Sequence, residues 1–171
     1  MRHVKWIFVV LVISSLTSFI GKDKPTGGLN VGDIAPNFSI QSMSSEQSSD
    51  LASLRGKYVL LNFWASYDAP SRMQNASFSQ AIRSLSPAQV EMVSVSFDEY
   101  SSIFNETIRK DRIATTACFV ETQGVESDLY KRYRLQRGFG NYLIDDNGVI
   151  IAKNISADEL SAIITPLSSI R

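Results

Sequence analysis

The residues with the clearest potential for chemistry lie in one short turn, Tyr67-Asp-Ala-Pro-Ser71. The apolar spacing that follows predicts a helix over 70–85, and both Asp68 and Pro70 favour a helix start. Unpaired backbone N–H groups and the helix dipole stabilise negative charge at such a start. Asp68 can therefore place a carboxylate against a ligand, or it can cap the helix. The cap, which contributes about 1 kcal/mol, is the interpretation we favour.

Nucleophilic catalysis at this turn lacks a base. The only histidine of the chain is His3, near the N-terminus, and the only cysteine is Cys118. His3 lies in the predicted leader, so the mature chain has no histidine. Ser71 is therefore a poor nucleophile, and Ser-His-Asp catalysis, Cys-His catalysis and ordinary zinc sites are excluded. A single cysteine cannot form an internal disulfide. Cys118 is either a buried inert thiol, which its apolar neighbours favour, or a reactive or intermolecularly paired one.

Composition limits the partners of the chain. It has 171 residues, 44% of them hydrophobic, which suits one domain with a proper core in addition to a leader. The formal net charge is zero, and without Arg2 and Lys5 the chain has 15 basic and 17 acidic side chains. Phosphate binding needs clustered Lys and Arg, so we predict no nucleic-acid partner. We also expect neither a metal nor a cofactor.

The N-terminus has the pattern of an export signal. Basic residues within the first five positions precede an apolar run that reaches Ile20. We predict residues 1–21 as a signal peptide or N-terminal anchor, 22–30 as a linker and 31–171 as the folded domain. The apolar run is short for a membrane-spanning helix, which favours a cleaved signal. The protein is then exported to the periplasm or cell envelope, and it meets the membrane only if this segment stays uncleaved.

The elements that must position the turn follow from the apolar patterns. The run 58–64 is almost continuously apolar, which is typical of a strand buried on both faces. Asn147-Gly148 is a strong hairpin signal between two later strands. A strand–helix–strand crossover followed by a hairpin and a helix predicts an α/β sandwich. Further strands are predicted over 35–41, 90–97, 139–144 and 149–153, further helices over 102–112, 125–133 and 157–167, a helical turn over 50–56, a loop over 44–50 and a short extended piece over 115–121.

The stretch Leu60-Leu-Asn-Phe-Trp-Ala-Ser66, followed by a turn with proline and then a helix, resembles the thioredoxin superfamily. Segments 31–38, 50–57, 93–98 and 142–153 make the chain similar to the exported thiol-disulfide reductases of the TlpA/ResA type. The resemblance extends from residue 31 to about residue 168. It implies a thioredoxin-like three-layer sandwich, with a central mixed β-sheet and helices on both faces.

The chain departs from that branch at the positions that carry its redox chemistry. Asp68 and Ser71 stand where the family has the two cysteines of Trp-Cys-x-Pro-Cys, and Tyr67 stands where it has the tryptophan. Gln74 replaces a glutamate that many relatives carry. Phe139 occupies the position of the family's cis-proline. The resemblance therefore implies a thioredoxin-like scaffold whose redox site is degenerate, with no catalytic residue at the turn.

We therefore predict an exported thioredoxin-fold protein without the redox dithiol, which acts as a non-catalytic module that binds a protein or peptide of the cell envelope. Phe139 beside Tyr67 would place two aromatic rings at the groove where the redox relatives bind their substrate. Inward packing of Phe139 is equally compatible with the sequence. Two alternatives stay open, a weak thiol-disulfide oxidoreductase (redoxin) that uses Cys118 or a partner's thiol, and a structural subunit of an envelope assembly. The predicted binding residues are Tyr67, Asp68, Ala69, Pro70, Phe139 and Gly140.

Overall fold

The computed structural model describes residues 25–41, 48–85, 90–113 and 117–168. The predicted export segment 1–21 and the start of the predicted linker lie outside the described residues. The described part of that linker contacts the domain, since the Ile34 N–H donates to the Thr26 carbonyl at 2.7 Å and the Gly28 N–H donates to the Ile34 carbonyl at 3.2 Å. The domain boundaries stay a prediction. Across the described ranges, no helix combines the length and the apolarity needed to cross a bilayer.

A five-stranded mixed sheet forms the centre of the fold. Strand β3 runs parallel to β4 on one side and antiparallel to β6 on the other, in the order β5-β4-β3-β6-β7. β3 occupies the middle because its near-continuous apolar run can be buried on both faces. A separate antiparallel pair, β1 and β2, lies outside this sheet. The strands are β1 Ser39–Gln41, β2 Ser48–Asp50, β3 Tyr58–Trp64, β4 Val90–Ser96, β5 Cys118–Val120, β6 Asn141–Ile144 and β7 Ile150–Lys153.

Helices cover both faces of the sheet, which confirms the predicted three-layer sandwich. Side chains alternate between the faces along β3. Leu60 packs with α1 and α4, and Trp64 packs with α2 on that same face. On the opposite face Phe63 belongs to a core that includes Leu129 of α3. The helices are α1 Ala69–Ser84, α2 Ser101–Asp111, α3 Asp128–Arg132 and α4 Ala157–Ser168.

Some local elements differ from the sequence prediction. Only the last three residues of the predicted strand 35–41 form a strand, and the predicted loop 44–50 ends in β2, because residues 39–41 pair with residues 48–50. The predicted helix 125–133 is divided into a 3-10 turn, Gly124–Glu126, and α3. The division falls at Ser127, whose side chain caps α3 by accepting the Tyr130 N–H at 3.1 Å.

The predicted hairpin between β6 and β7 is present, but its turn is longer than two residues. The turn extends from Asp145 to Val149, and only Gly148 adopts positive φ, at 81°. The Asp145 carboxylate explains this geometry, because it accepts the Asn147 N–H at 2.9 Å and the Val149 N–H at 2.8 Å. A type I′ turn would need positive φ at Asn147 also.

Candidate functional site

Asp68 lies at the mouth of α1, where the chain leaves β3 and enters the helix. Its backbone is extended, and its carboxylate accepts the Ser71 N–H at 3.0 Å. The Asp68 N–H in turn donates to the Ala65 carbonyl at 3.2 Å, which closes the turn. Pro70 occupies the first turn of the helix, where its missing N–H costs nothing. Asp68 is therefore a helix cap, as predicted.

Ser71, which the resemblance places at the second cysteine of the motif, is directed into the fold. Its side chain is 4% exposed. The hydroxyl donates to the Asp68 carbonyl at 3.1 Å and accepts the Ala65 N–H at 3.4 Å. Both hydrogen-bonding functions of the hydroxyl therefore stabilise the turn. This geometry gives Ser71 a structural role and leaves no donor free for a substrate.

A buried carboxylate, that of Asp98, stabilises the turn by hydrogen bonds from inside the domain. It is 2% exposed and lies just beyond the carboxyl end of β4, which runs parallel to β3. One of its oxygens accepts the Ser66 N–H at 2.9 Å and the Ser66 hydroxyl at 2.6 Å. The other accepts the Ser96 hydroxyl at 2.6 Å. These charge-assisted bonds compensate the burial of the charge and fix the backbone immediately before Tyr67.

Sequence reasoning missed Asp98, although a signal for it exists. The carboxyl ends of parallel neighbouring strands lie at the same edge of a sheet. A polar residue directly after the predicted strand 90–97 should therefore lie beside the segment that follows β3. The pairing of Trp64 with Ser96 sets this register.

The aromatic residues around Phe139 form a continuous group, which we name the aromatic surface: Tyr67, Tyr130 and Phe139, resting on buried Phe97. Tyr67 is 68% exposed, and its ring centroid lies 6.4 Å from that of Phe139. Phe139 stacks on Phe97 at 5.9 Å and meets Tyr130 edge-on at 6.4 Å. Phe139 is half-buried. Both interpretations of this residue are thus partly realised, since its ring packs inward on Phe97 and also supports an exposed tyrosine.

The position of Tyr67 affects the pKa of its phenol. Partial burial raises the pKa of its phenol, and the nearby Tyr130, Asp98 and Asp68 add to the shift. The ring therefore stays neutral across the physiological range. A neutral phenol next to an apolar ring can offer a partner both apolar area and a hydrogen bond.

The remaining predicted binding residues lie on either side of this surface. Ala69 and Pro70 are exposed on the first turn of α1, beside Asp68. Gly140 is half-buried, and its carbonyl accepts the Phe63 N–H at 3.1 Å. The structure therefore brings the turn 67–70 and the segment 139–140 together through the contact of Tyr67 with Phe139. Their role in binding stays a prediction.

Cys118 lies away from this site, on the edge strand β5. Its side chain packs against the cluster of Trp64, Phe104 and Ile108 between the sheet and α2. Burial raises the pKa of the thiol to about 11, and a hydrogen bond with Ser94 only partly opposes this shift. The thiolate, which is the reactive form, is therefore scarce at neutral pH.

The side-chain amides of Gln74 and Asn62 have structural roles. Gln74 donates from its side chain to the Ile155 carbonyl at 3.1 Å, which joins α1 to the segment before α4. Asn62, in the centre of β3, donates to the Asn75 side chain at 2.9 Å, and both residues are fully buried.

Within the described ranges, no group of three or more His, Cys, Asp or Glu side chains is placed to hold a metal ion.

Comparison with known proteins agrees with this fold. The AhpC/TSA family model matches residues 31–153. A thioredoxin-like protein of known structure from Parabacteroides distasonis is 41% identical, with 82% of this chain and 98% of that chain covered and a TM-score of 0.73. The thioredoxin-like protein YneN of Bacillus subtilis is 28% identical over 85% of this chain and 86% of its own length. The thiol-disulfide oxidoreductase ResA of Oceanobacillus iheyensis is 29% identical over 84% of this chain and 75% of its own length. The chain therefore belongs to the AhpC/TSA family of thioredoxin-like proteins, and Cys118 is its only cysteine.

Proposed function

We propose that this protein is a non-catalytic binding module that holds a protein or peptide segment across the aromatic surface at the mouth of α1. The observation that carries the proposal is Tyr67, exposed over Phe139, at a place where Asp68 and Ser71 are hydrogen-bonded into the fold. The site offers contact area and no reactive group. Binding is the role that such a combination supports.

The energetics of the surface favour binding. Exposed aromatic side chains supply large contact areas at a low cost in conformational entropy, because they have few rotatable bonds. The Tyr67 ring already rests on Phe139, and Asp98 fixes the backbone that carries it. A partner would therefore meet a preorganised surface and would lose little entropy in ordering it.

A redox role through Cys118 is the second candidate, suggested by relatives such as the thiol-disulfide oxidoreductase ResA. A pKa of about 11 and the packing of Cys118 against Trp64 weigh against it. An insulin-reduction assay separates the two functions. We expect no turnover by the wild-type protein. Clear turnover that disappears in Cys118→Ser would replace the binding function with an enzymatic one.

Export to the periplasm or cell envelope is part of the same proposal. It is supported by the basic and apolar pattern of the first 20 residues. Cell fractionation tests it, with the tagged full chain expected in the envelope or periplasmic fraction. Recovery only in the cytoplasm would contradict export without affecting the binding function.

Selection from a random peptide display library on the immobilised protein tests binding directly. We expect enriched peptides on the wild type and no enrichment on Tyr67→Ala/Phe139→Ala. The matched control is Tyr100→Ala, because Tyr100 is 64% exposed and forms no ring contact with any described residue. Equal enrichment on all three proteins would refute the proposal.

A further inference from the structure

A concave feature adjoins the aromatic surface on the side of Gly140. It is a cavity of about 390 Å³ between the loop that precedes β6 and the end of β7. Three of its lining side chains are cationic, and we name this cavity the basic pocket. Its charged lining residues are Arg134, Arg137 and Lys153, and Phe139, Gly140 and Tyr142 are among its other lining residues.

The charged side chains that line the basic pocket are all positive. None of its lining residues is acidic. Among the described residues, the salt bridges involve none of its three cations, and Lys153 donates only to the Leu29 carbonyl, at 3.4 Å. Hydrogen bonds from the Thr26 hydroxyl at 2.7 Å and the Asn30 N–H at 2.9 Å lower the pKa of Asp33, and the charge of Lys153 lowers it further. This carboxylate does not line the pocket and offsets part of the charge of Lys153.

The local backbone explains how the pocket is built. Arg134 adopts a left-handed conformation with φ of 55°, and Gly138 has φ of 117°, so the loop turns sharply twice before β6. Gly140 lies so close to the end of β7 that an added Cβ would be 2.5 Å from the Asn154 side-chain oxygen. The loop therefore lies against the sheet edge at Gly140 and leaves an open space beside it.

Phe139 connects this pocket to the aromatic surface. The residue lines the pocket, while its ring contacts Tyr67 and stacks on Phe97. A ligand that covers Tyr67 can therefore continue into the pocket. An extended peptide advances about 3.3 Å per residue, so only a few residues need separate the two contacts.

We propose, on the basis of the proposed function, that the basic pocket binds a carboxylate of the same partner, which is therefore an acidic peptide segment. An apolar or aromatic side chain of that segment lies on Tyr67 and Phe139, and an Asp or Glu a few residues away pairs with Arg134, Arg137 and Lys153. Guanidinium groups bind carboxylates through two parallel hydrogen bonds. The formal net charge of the chain is zero, so the attraction comes from this local cluster.

The composition of selected peptides tests the inference. We expect the wild-type protein to enrich peptides that combine Asp or Glu with an aromatic residue. The variant Arg134→Gln/Arg137→Gln/Lys153→Gln should lose the acidic preference and keep the aromatic one. The matched control, Lys57→Gln/Arg109→Gln/Lys110→Gln, removes the same charge from exposed cations outside the pocket and should keep both preferences.

A double-mutant cycle then measures the contact. One synthetic peptide from the wild-type selection is compared with its Asp→Asn or Glu→Gln form. We expect the change to weaken binding to the wild-type protein about tenfold, which corresponds to about 1.4 kcal/mol. The same change should have less than about a twofold effect on binding to the pocket variant.

Each other result counts against the inference. Peptides without an acidic excess, or an excess that persists in the pocket variant, would overturn it, while enrichment that depends on Tyr67 and Phe139 would still support the proposed function. Acetate or inorganic phosphate that binds the pocket as tightly as the peptide would make a free anion the ligand. The absence of any enrichment on the wild-type protein would refute both proposals.

Discussion

The ring of Tyr67 lies 6.4 Å, centroid to centroid, from the ring of Phe139. Tyr67 belongs to the turn before α1 and Phe139 to the loop before β6, so one contact joins segments far apart in the sequence. In the TlpA/ResA-type proteins that this chain resembles, these segments carry the dithiol and the cis-proline. In this chain, the place where the two segments meet carries the aromatic surface, and Asp68 and Ser71 stabilise the start of α1. The sheet that positions the two segments is that of a thioredoxin-like fold, and neither segment contains a cysteine.

The buried Asp98 should contribute strongly to stability, because it accepts hydrogen bonds from Ser66 and Ser96. Replacing it with Asn removes the charge and leaves at least one buried donor without an acceptor. We expect Asp98→Asn to lower the free energy of unfolding by about 2 kcal/mol. Urea denaturation measures this effect. The exposed Asp158→Asn should change stability by less than about 0.5 kcal/mol, and an equal loss in both variants would contradict the role of Asp98.

A second prediction separates the cap from a ligand contact at Asp68. Asp68→Ala should lower the free energy of unfolding by about 1 kcal/mol, because the Ser71 N–H loses its acceptor. Asp68→Asn keeps an acceptor and should be nearly neutral. Thermal or urea unfolding gives both values. If Asp68→Ala unfolds like the wild type but weakens peptide binding, the carboxylate serves the partner and not the helix.

How far the sequence predicts this structure depends on whether a feature is local. The strand 58–64 and the helix after Asp68 are predicted closely, because their apolar periods and start signals lie within the segments themselves. The strand Ser48–Asp50 is missed because it exists only through pairing with residues 39–41. Asp98 is missed for a similar reason, since its importance comes from the parallel neighbour of its strand.

The candidate site follows the same rule. Resemblance to a known turn places Tyr67 and Phe139 near each other, and the structure agrees. Whether Phe139 packs inward or outward depends on Phe97 and Tyr130, which belong to other elements, so the sequence leaves both possibilities open. The basic pocket cannot be predicted from the sequence, because its cations come from two separate segments, the loop before β6 and the end of β7.

Restoring two cysteines tests whether the scaffold still has the geometry of a dithiol site. Asp68 and Ser71 have the spacing of a Cys-x-x-Cys motif at a helix start, and the Asp68 side chain already reaches the Ser71 N–H, at 3.0 Å. We expect Asp68→Cys/Ser71→Cys to form an internal disulfide in oxidised glutathione. Titration under denaturing conditions should then find only the thiol of Cys118. A cysteine at the helix start also has a lowered pKa, so the reduced variant should reduce insulin measurably.

The single variant Ser71→Cys is the control for this experiment. It should keep two titratable thiols, including that of Cys118, and show no insulin reduction above the wild type. If the double variant keeps all its thiols under oxidising conditions, the two positions do not have the geometry described above.

The thiol of Cys118 predicts a specific dependence of stability on pH. Burial raises its pKa from 9.0 to about 11, so the folded state holds the proton at pH values where the unfolded state has lost it. Stability from this group is therefore fully present below about pH 9 and is lost as the pH rises through about 11. A shift of this size corresponds to roughly 2–3 kcal/mol. Urea unfolding at pH 8 and pH 10.5 measures the loss.

Other groups also titrate in this range, so the comparison needs a variant without the thiol. Burial raises the pKa of Tyr133 in the same direction, and that contribution remains in Cys118→Ala. The difference between the wild type and Cys118→Ala should therefore shrink as the pH rises, because only the wild type loses the contribution of the thiol. Iodoacetamide should modify folded Cys118 slowly at pH 8 and faster as the pH approaches 11, since it reacts with the thiolate. Rapid modification at pH 7 would show an accessible, ionised thiol and would favour the redox alternative.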